Sequence, residues 1–198
     1  MARIYGIRKR LADNNVDETL AKEIIGNGDL VEVTTRMEAL LGAAVTHQLL
    51  DSCACGTGKK ELAGLKEVTG ETLKDKLEAI THLSDYHADW IITINQDETL
   101  TVRWDMKKDD QYTCACSAAV KNKVKVSDLV AENRTMPLTY CFCCAGHARQ
   151  QLQQLLGLPL KTKEIISSPI NSGGNNPCEF ILEILKQWTM ESKDTCTP

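Results

Sequence analysis

Eight of the nine cysteines in this 198-residue chain fall into four groups: Cys53-Ala-Cys55, Cys114-Ala-Cys116, Cys141-Phe-Cys143-Cys144 and the single Cys178. A thiolate is both a ligand for soft metals and a nucleophile, so such groups can bind zinc or attack a substrate. A buried cysteine can also be a small apolar side chain with no chemical role. The clustering favours a functional or metal-binding role for at least one group.

The chemistry open to these thiols depends on the compartment. The basic N-terminal segment is not followed by an apolar stretch long enough for a signal peptide. No run of about eighteen apolar residues is present, so we expect no membrane-spanning helix and no membrane partner. These features predict a cytoplasmic protein, where paired cysteines are more often metal ligands or reactive thiols than disulfides.

The charge balance argues against a nucleic-acid partner. The chain has 23 basic and 27 acidic residues, for a net charge of -4, and no basic stripe interleaved with aromatic residues. Its length is sufficient for one well-filled domain that needs no disulfides to fold.

Helical periodicity dominates the first half of the chain. Capping-box-like starts at Asn15 and Asp29 each open an apolar stripe. The second stripe, from Leu30 to Val45, predicts one helix to about Leu50 that delivers Cys53 and Cys55 just beyond its end. A third helix is expected around 73–80.

The second half has strand patterns. Residues 90–94 and 100–104 predict a hairpin, and residues 112–120, 160–170 and 179–185 predict further strands. Two helices are expected at 127–133 and 145–156, the second ending at Gly157, a typical left-handed C-terminal glycine. The predicted fold class is α+β, with a helical N-terminal half packed on an antiparallel sheet formed mainly by the C-terminal half.

The C-terminal third resembles a known family. The segment Cys141-Phe-Cys143-Cys144-Ala-Gly146-His147, the helix ending at Gly157 and the later Gly174 with Cys178-Glu-Phe180 carry the resemblance. They are similar to the 4-vinyl reductase domain superfamily, particularly its cysteine-rich bacterial members and the related aminothiazoline-carboxylate hydrolase family. The resemblance implies a helical region at 1–85, a 4-vinyl-reductase-like α+β region at 86–190 and a tail at 191–198, together forming one compact domain. It also implies a bound small organic molecule and cysteines that bind metal near its pocket.

Zinc is the favoured metal for such a site. Cys141-x-x-Cys144 has zinc-ligand spacing, and the implied fold brings Cys141 and Cys143 or Cys144 together with Cys178. Further candidate ligands are Cys114 and Cys116, with Cys53 and Cys55 as additional thiols. An iron–sulfur centre can use the same thiolates, but the familiar ferredoxin spacings are absent.

Two other interpretations of the run remain open. Cys143 and Cys144 lie at a predicted helix N-terminus, which favours a thiolate, and His147 follows within one turn. These three residues can form the beginning of a cysteine-dependent hydrolase site for a small heterocyclic or carbon–nitrogen substrate. The adjacent pair Cys143-Cys144 can alternatively undergo redox chemistry.

A ligand pocket is expected where the sheet and its covering helices diverge. The candidate lining residues are Trp90, Ile92 and Trp104 of the hairpin and Phe180 of the last strand. Plain core packing of the two tryptophans is the alternative. The long stripe at 30–45 is more apolar than one helix face needs, which predicts a homodimer packed through it.

Overall fold

The structure, a computed structural model, describes residues 2–52, 65–83, 89–114 and 126–185. Five helices of the first half are α1 (Ala2–Asp13), α2 (Glu18–Ile25), α3 (Leu30–Leu41), α4 (Ala43–Ser52) and α5 (Leu73–Thr81). The later helices are α6 (Val126–Ala131), a 3-10 turn (Leu138–Cys141), α7 (Phe142–Leu156) and α8 (Pro169–Ser172). In the described part of the chain, every helix is too short or too polar to span a membrane.

Six strands complete the described structure: β1 (Trp90–Ile94), β2 (Thr99–Trp104), β3 (Lys107–Lys108), β4 (Gln111–Tyr112), β5 (Leu160–Ser167) and β6 (Cys178–Ile184). Four of them form an antiparallel sheet in the order β1-β2-β6-β5, and β3 pairs with β4. The protein is therefore α+β, with helices in the N-terminal half and a sheet from the C-terminal half, as predicted.

The helix starts show where sequence patterns are reliable. Asp29 caps α3 by accepting a hydrogen bond from the backbone N–H of Glu32, as its spacing predicts. The start expected at Asn15 lies two residues too early, because Asp17 caps α2 and accepts from two backbone amides. Helix α1 has no counterpart among the expectations.

The long apolar stripe forms two helices rather than one. Gly42, with φ of 78°, ends α3, and its N–H donates to the carbonyl of Glu38 at 3.0 Å. A positive φ suits glycine and turns the chain before α4. Residues of the stripe inside α3 fill the protein's own core, whereas Leu40 and Val45 at the corner are exposed. The homodimer expected from this stripe stays a prediction, and only the exposed part of the stripe is left for it.

The end of the chain also departs from the patterns in detail. Strand β5 stops at Ser167 rather than Ile170, because Ser168 caps the short α8. Gly157 ends α7 in the left-handed region, as predicted. Of the strand expected at 112–120, Tyr112 ends the short β4, and residues 115–120 lie outside the described residues.

One face of the sheet carries the core. Strand pairing aligns Trp90, Trp104 and Cys178 in one row across the sheet, with Ile92 and Phe180 in the next. Since residues two apart in a strand share a face, these side chains point to the same side. Helix α7 packs against β5 and α5 against β1, so this side is covered by helices.

A close approach of two helix backbones sets the position of α7. A Cβ atom built on Gly146 of α7 would lie 2.1 Å from the backbone oxygen of Asp51 in α4. No real Cβ contact is that short, so glycine alone permits the observed separation. His47 stacks on Phe142 one turn earlier in both helices. The two helices therefore run parallel along this contact.

Gly146→Ala is expected to destabilise the protein even though alanine is the better helix former. The added methyl group forces apart two packed backbones, which costs about 1–3 kcal/mol or more, against a gain of at most about 1 kcal/mol in helix propensity. Urea unfolding followed by circular dichroism measures the difference.

The control for this variant is Gly42→Ala. A Cβ atom added at Gly42 would have no other atom within 4 Å, so only the cost of the positive φ applies there. A Gly146→Ala protein as stable as the wild type would contradict the close approach of α4 and α7.

Candidate functional site

The cysteine run lies at the start of α7 and points largely into the protein. Cys141 ends the 3-10 turn, and Cys143 and Cys144 occupy the first turn of α7. Cys143 is fully buried, and the other two are nearly so. No disulfide joins any two of the five cysteines in the described residues. Their chemistry is therefore that of buried thiols within the core.

The 3-10 turn changes the electrostatics expected for these thiols. The backbone N–H of Phe142 already donates to the carbonyls of Thr139 and Tyr140, and Cys141 has helical backbone angles. The unsatisfied amides that give a helix its positive end therefore lie about one turn before Cys143. This placement weakens the argument that the helix dipole activates Cys143 or Cys144.

A polar cluster from three elements borders the run. The imidazole of His47 stacks on the ring of Phe142 with centroids 4.0 Å apart and planes 14° apart. Its Nε2 lies 3.5 Å from Oγ1 of Thr139, whose hydroxyl donates to the carboxylate of Glu38. Burial lowers the pKa of His47, and the negative charge of Glu38 opposes that shift. The cluster therefore ties α3, α4 and the 3-10 turn together beside the thiols.

Asp51 makes the second polar connection of α4 to α7. Its carboxylate accepts from Arg149 at 2.8 Å and 3.4 Å, through Nη2 and Nε. The hydroxyl of Thr162 on β5 donates to the same carboxylate at 2.5 Å. Both partners of the ion pair are largely buried. Such a forked, hydrogen-bonded pair fixes geometry, and here it fixes the end of α4 against both α7 and the sheet.

The imidazole of His147 contacts a side chain further along α7. Its Nε2 lies 3.1 Å from Nε2 of Gln151, one turn further along α7. Because an amide nitrogen can only donate, this contact makes Nε2 of His147 the acceptor. The contact points along the helix away from Cys143 and Cys144. The hydrolase interpretation based on these three residues stays a prediction.

Cys178 belongs to the aromatic row of the sheet. It is buried and faces Trp104 in the pairing of β2 with β6. Trp104 lies 5.6 Å from Trp90 and 5.6 Å, edge-on, from Phe180. Cys114 lies half-buried after β4 and packs against the same core. The predicted aromatic residues are thus brought together, with one cysteine beside them.

The described residues contain no group of three or more His, Cys, Asp or Glu side chains arranged to hold a metal ion. Cys53, Cys55 and Cys116, three of the predicted ligands, lie outside those residues. Ser52, the last residue of α4, directly precedes Cys53 in the sequence. The zinc and iron–sulfur expectations both stay predictions.

An open groove of about 530 Å³ lies between α5 and the edge strand β1. Trp90 and Ile92 line it, together with Leu77, Lys74 and three further residues of β1 and two of α5. Of the four predicted ligand-binding residues, these two border the groove. Trp104 and Phe180, on the central strands, do not line the groove. They lie in the core, and Trp90 is as completely buried as they are.

A second groove, of about 540 Å³, lies at the C-terminal end of α7. Four polar side chains line it, those of Glu67, Gln150, Gln153 and Gln154. It contains none of the residues predicted to bind ligand. The two grooves have nearly equal volumes, but the apolar lining of the α5–β1 groove is more typical of a small-molecule site.

Sequence reasoning missed Glu38, Thr139 and the pairing of Asp51 with Arg149. These residues are separated by about a hundred positions in the chain, as for Thr139 and Glu38 at 101 and Arg149 and Asp51 at 98. No local pattern reports such contacts. The one usable signal was the spacing of His47 and Asp51, which places both on the same face of α4.

The lowered pKa of His47 predicts a dependence of stability on pH. Since the unfolded chain binds the proton more tightly than the folded protein, the free energy of unfolding should fall as pH decreases below the ordinary value of 6.5. His47→Phe retains a stacked ring and should reduce this slope in urea titrations between neutral and mildly acidic pH. His82→Phe, at an exposed position, is the control. An unchanged slope in His47→Phe would contradict the role of burial.

Comparison with known proteins adds no relative to this geometry. The chain matches no known family model, no curated protein and no solved structure. The resemblance to the 4-vinyl reductase domain superfamily therefore stays a prediction drawn from the cysteine run and the spacing after it.

Proposed function

We propose that the protein binds a small organic molecule in the α5–β1 groove and holds a soft metal, zinc before iron, at its cysteines. The groove is the observation that supports the binding of a small organic molecule. It has the volume of a small-molecule site and an apolar floor of Leu77, Trp90 and Ile92. Lys74 and Glu78 on its rim supply one charge of each sign to orient a polar ligand.

The aromatic row connects the groove to the thiols. Trp90 borders the groove, contacts Trp104 and through it neighbours Cys178. This arrangement supports a cysteine site beside the pocket, because packed indole rings connect the groove to Cys178. It does not require the ligand to contact a thiol.

The contact of α4 with α7 supports the metal part of the proposal. It holds Asp51 against Gly146, within one helical turn of Cys143 and Cys144, and the sequence continues from Ser52 into Cys53 and Cys55. Thiolates from two such segments are typical ligands of a zinc site. A cytoplasmic location, where these thiols stay reduced, is part of the proposal.

The groove can be tested with anilinonaphthalenesulfonate, a dye whose emission rises in apolar sites. Wild-type protein should bind it, and Ile94→Ser should weaken binding by roughly tenfold, since an apolar side chain contact contributes about 1.5 kcal/mol. Ile94 lines the groove on the same face of β1 as Trp90 and Ile92 yet is 42% exposed, so the fold should tolerate the change.

Ile166→Ser is the matched control for the dye experiment. Ile166 is 42% exposed and lies on β5, the other edge strand. Equal effects of the two substitutions, or no binding to the folded wild type, would refute the groove as the ligand site.

The metal can be tested by elemental analysis of protein purified under reducing conditions. Zinc should be present and should dissociate at acid pH, because protonation of thiolates removes the ligands. Cys143→Ser with Cys144→Ser should lower the zinc content, whereas Cys196→Ser, at the one cysteine outside the groups, should not. Metal-free protein of full stability with all nine thiols open to a mild reagent would refute this part.

A further inference from the structure

Strand β1 is an edge of the four-stranded sheet and pairs only with β2 among the described strands. Its backbone hydrogen bonds define which groups face outward. Asn95 N–H donates to the carbonyl of Thr99 at 2.8 Å, and Asp105 N–H donates to that of Asp89 at 3.0 Å. Bonded and non-bonded pairs alternate along an antiparallel ladder. The odd-numbered residues of β1 are therefore the ones whose backbone groups are hydrogen-bonded to β2.

The even-numbered residues of β1 consequently direct their backbone N–H and C=O groups away from β2. For Ile92 and Ile94 these groups face the α5–β1 groove. Such a row of donors and acceptors is a template for another strand. Strand β1 has five residues. A partner strand has the same two-residue repeat, so its backbone groups can pair with those of every second residue of β1.

The two edges of the sheet differ in how they oppose such pairing. Strand β5 carries Lys161, Lys163 and Glu164, and its register is shifted at two places. Charges and bulges are the usual features that prevent edge-to-edge association. Strand β1, Trp-Ile-Ile-Thr-Ile, has no charge, no proline and no bulge, and two of its isoleucines are exposed.

The two charged side chains beside the groove are complementary to the same two side chains on a second copy. Lys74 and Glu78 stand one turn apart on α5 and both border the groove. They have opposite signs, and a two-fold axis through the middle of the groove places Lys74 of one copy opposite Glu78 of the other. A C2 interface uses the same patch twice, so a patch with one charge of each sign satisfies both copies.

We infer that β1 pairs antiparallel with β1 of a second copy of this chain, around a two-fold axis at Ile92. The backbone of each Ile92 then exchanges hydrogen bonds with that of the other, and the two sheets become one. Ile91 of each copy lies directly opposite Thr93 of the other on the outer face. The α5 helices flank the new strand pair, with Lys74 opposite Glu78.

The second copy occupies the same groove as the proposed ligand. The two therefore exclude one another, and a bound ligand shifts the protein towards the monomer. This consequence rests on the proposed function, whereas the pairing of β1 does not. Self-association would in this way regulate access to the ligand site.

The pairing is tested by two double variants that differ in the side chain at one position. In Ile91→Lys with Thr93→Lys, lysines face each other across both outer pairs, so the dimer should dissociate. In Ile91→Lys with Thr93→Glu, each lysine faces a glutamate and the dimer should persist. Like charges directly opposite destabilise a strand pair and opposite charges stabilise it, so dissociation constants should differ by about tenfold or more.

Sedimentation equilibrium at micromolar concentrations measures the mass of each protein, and circular dichroism checks that both variants fold. Both changed side chains are exposed, so neither variant is expected to disturb the core. A monomeric wild type, or equal dissociation of the two variants, overturns the inference. Addition of anilinonaphthalenesulfonate to the wild type should shift the mass towards one chain.

The dye result separates the two proposals. A wild type that dimerises and separates the two variants by charge, but does not bind the dye even at concentrations low enough for it to be monomeric, supports the strand pairing and refutes the ligand groove. A wild type that binds the dye and stays monomeric at all concentrations supports the groove and refutes the pairing. Dye binding that leaves the dimer intact refutes the shared use of the groove.

Discussion

The contact of α4 with α7 at Gly146 is the constraint on which the arrangement of this protein depends. The backbone oxygen of Asp51 occupies the space that a side chain at Gly146 would need. This approach aligns His47 with Phe142 and sets the Asp51 carboxylate between Arg149 and Thr162. One missing Cβ thus allows a helix pair, an ion pair and a helix–sheet connection to form together.

The same contact decides the environment of the cysteine run. With α4 packed against its N-terminal turns, α7 directs Cys143 into the core rather than to solvent. Burial makes these thiols suited to a closed metal site or to structural packing, and less suited to attack on a substrate from solution. The neighbouring His47 is held in a partly desolvated position that disfavours its charged form and lowers its pKa.

The order of strands determines which aromatic residues border the groove. Trp90 belongs to an edge strand and lines the groove, whereas Trp104 and Phe180 belong to central strands and do not line it; all three rings are almost completely buried. The edge position also leaves the outward backbone groups of β1 beside the groove. The proposed ligand binding and the proposed strand pairing therefore both depend on the location of β1 at the margin of the sheet.

The sequence by itself determined the fold class and most of the elements near the site. The β-branched and aromatic runs at 90–94 and 100–104 predicted the β1–β2 hairpin, and Gly157 predicted the end of α7, because both signals are local consequences of backbone geometry. The sequence also named Trp90, Trp104 and Phe180 as candidate neighbours, and the strand pairing brings them together.

Only the tertiary structure decided which of these residues border the groove and what surrounds the thiols. The break at Gly42 needed a positive φ that the apolar stripe does not encode, and the capping pattern at Asn15 competed with a better cap at Asp17. The pairing of Asp51 with Arg149 spans 98 residues, and the edge position of β1 decides that Trp90 borders the groove while its neighbour Trp104 does not. Such features depend on long-range packing, which local periodicity cannot report because it describes one element at a time.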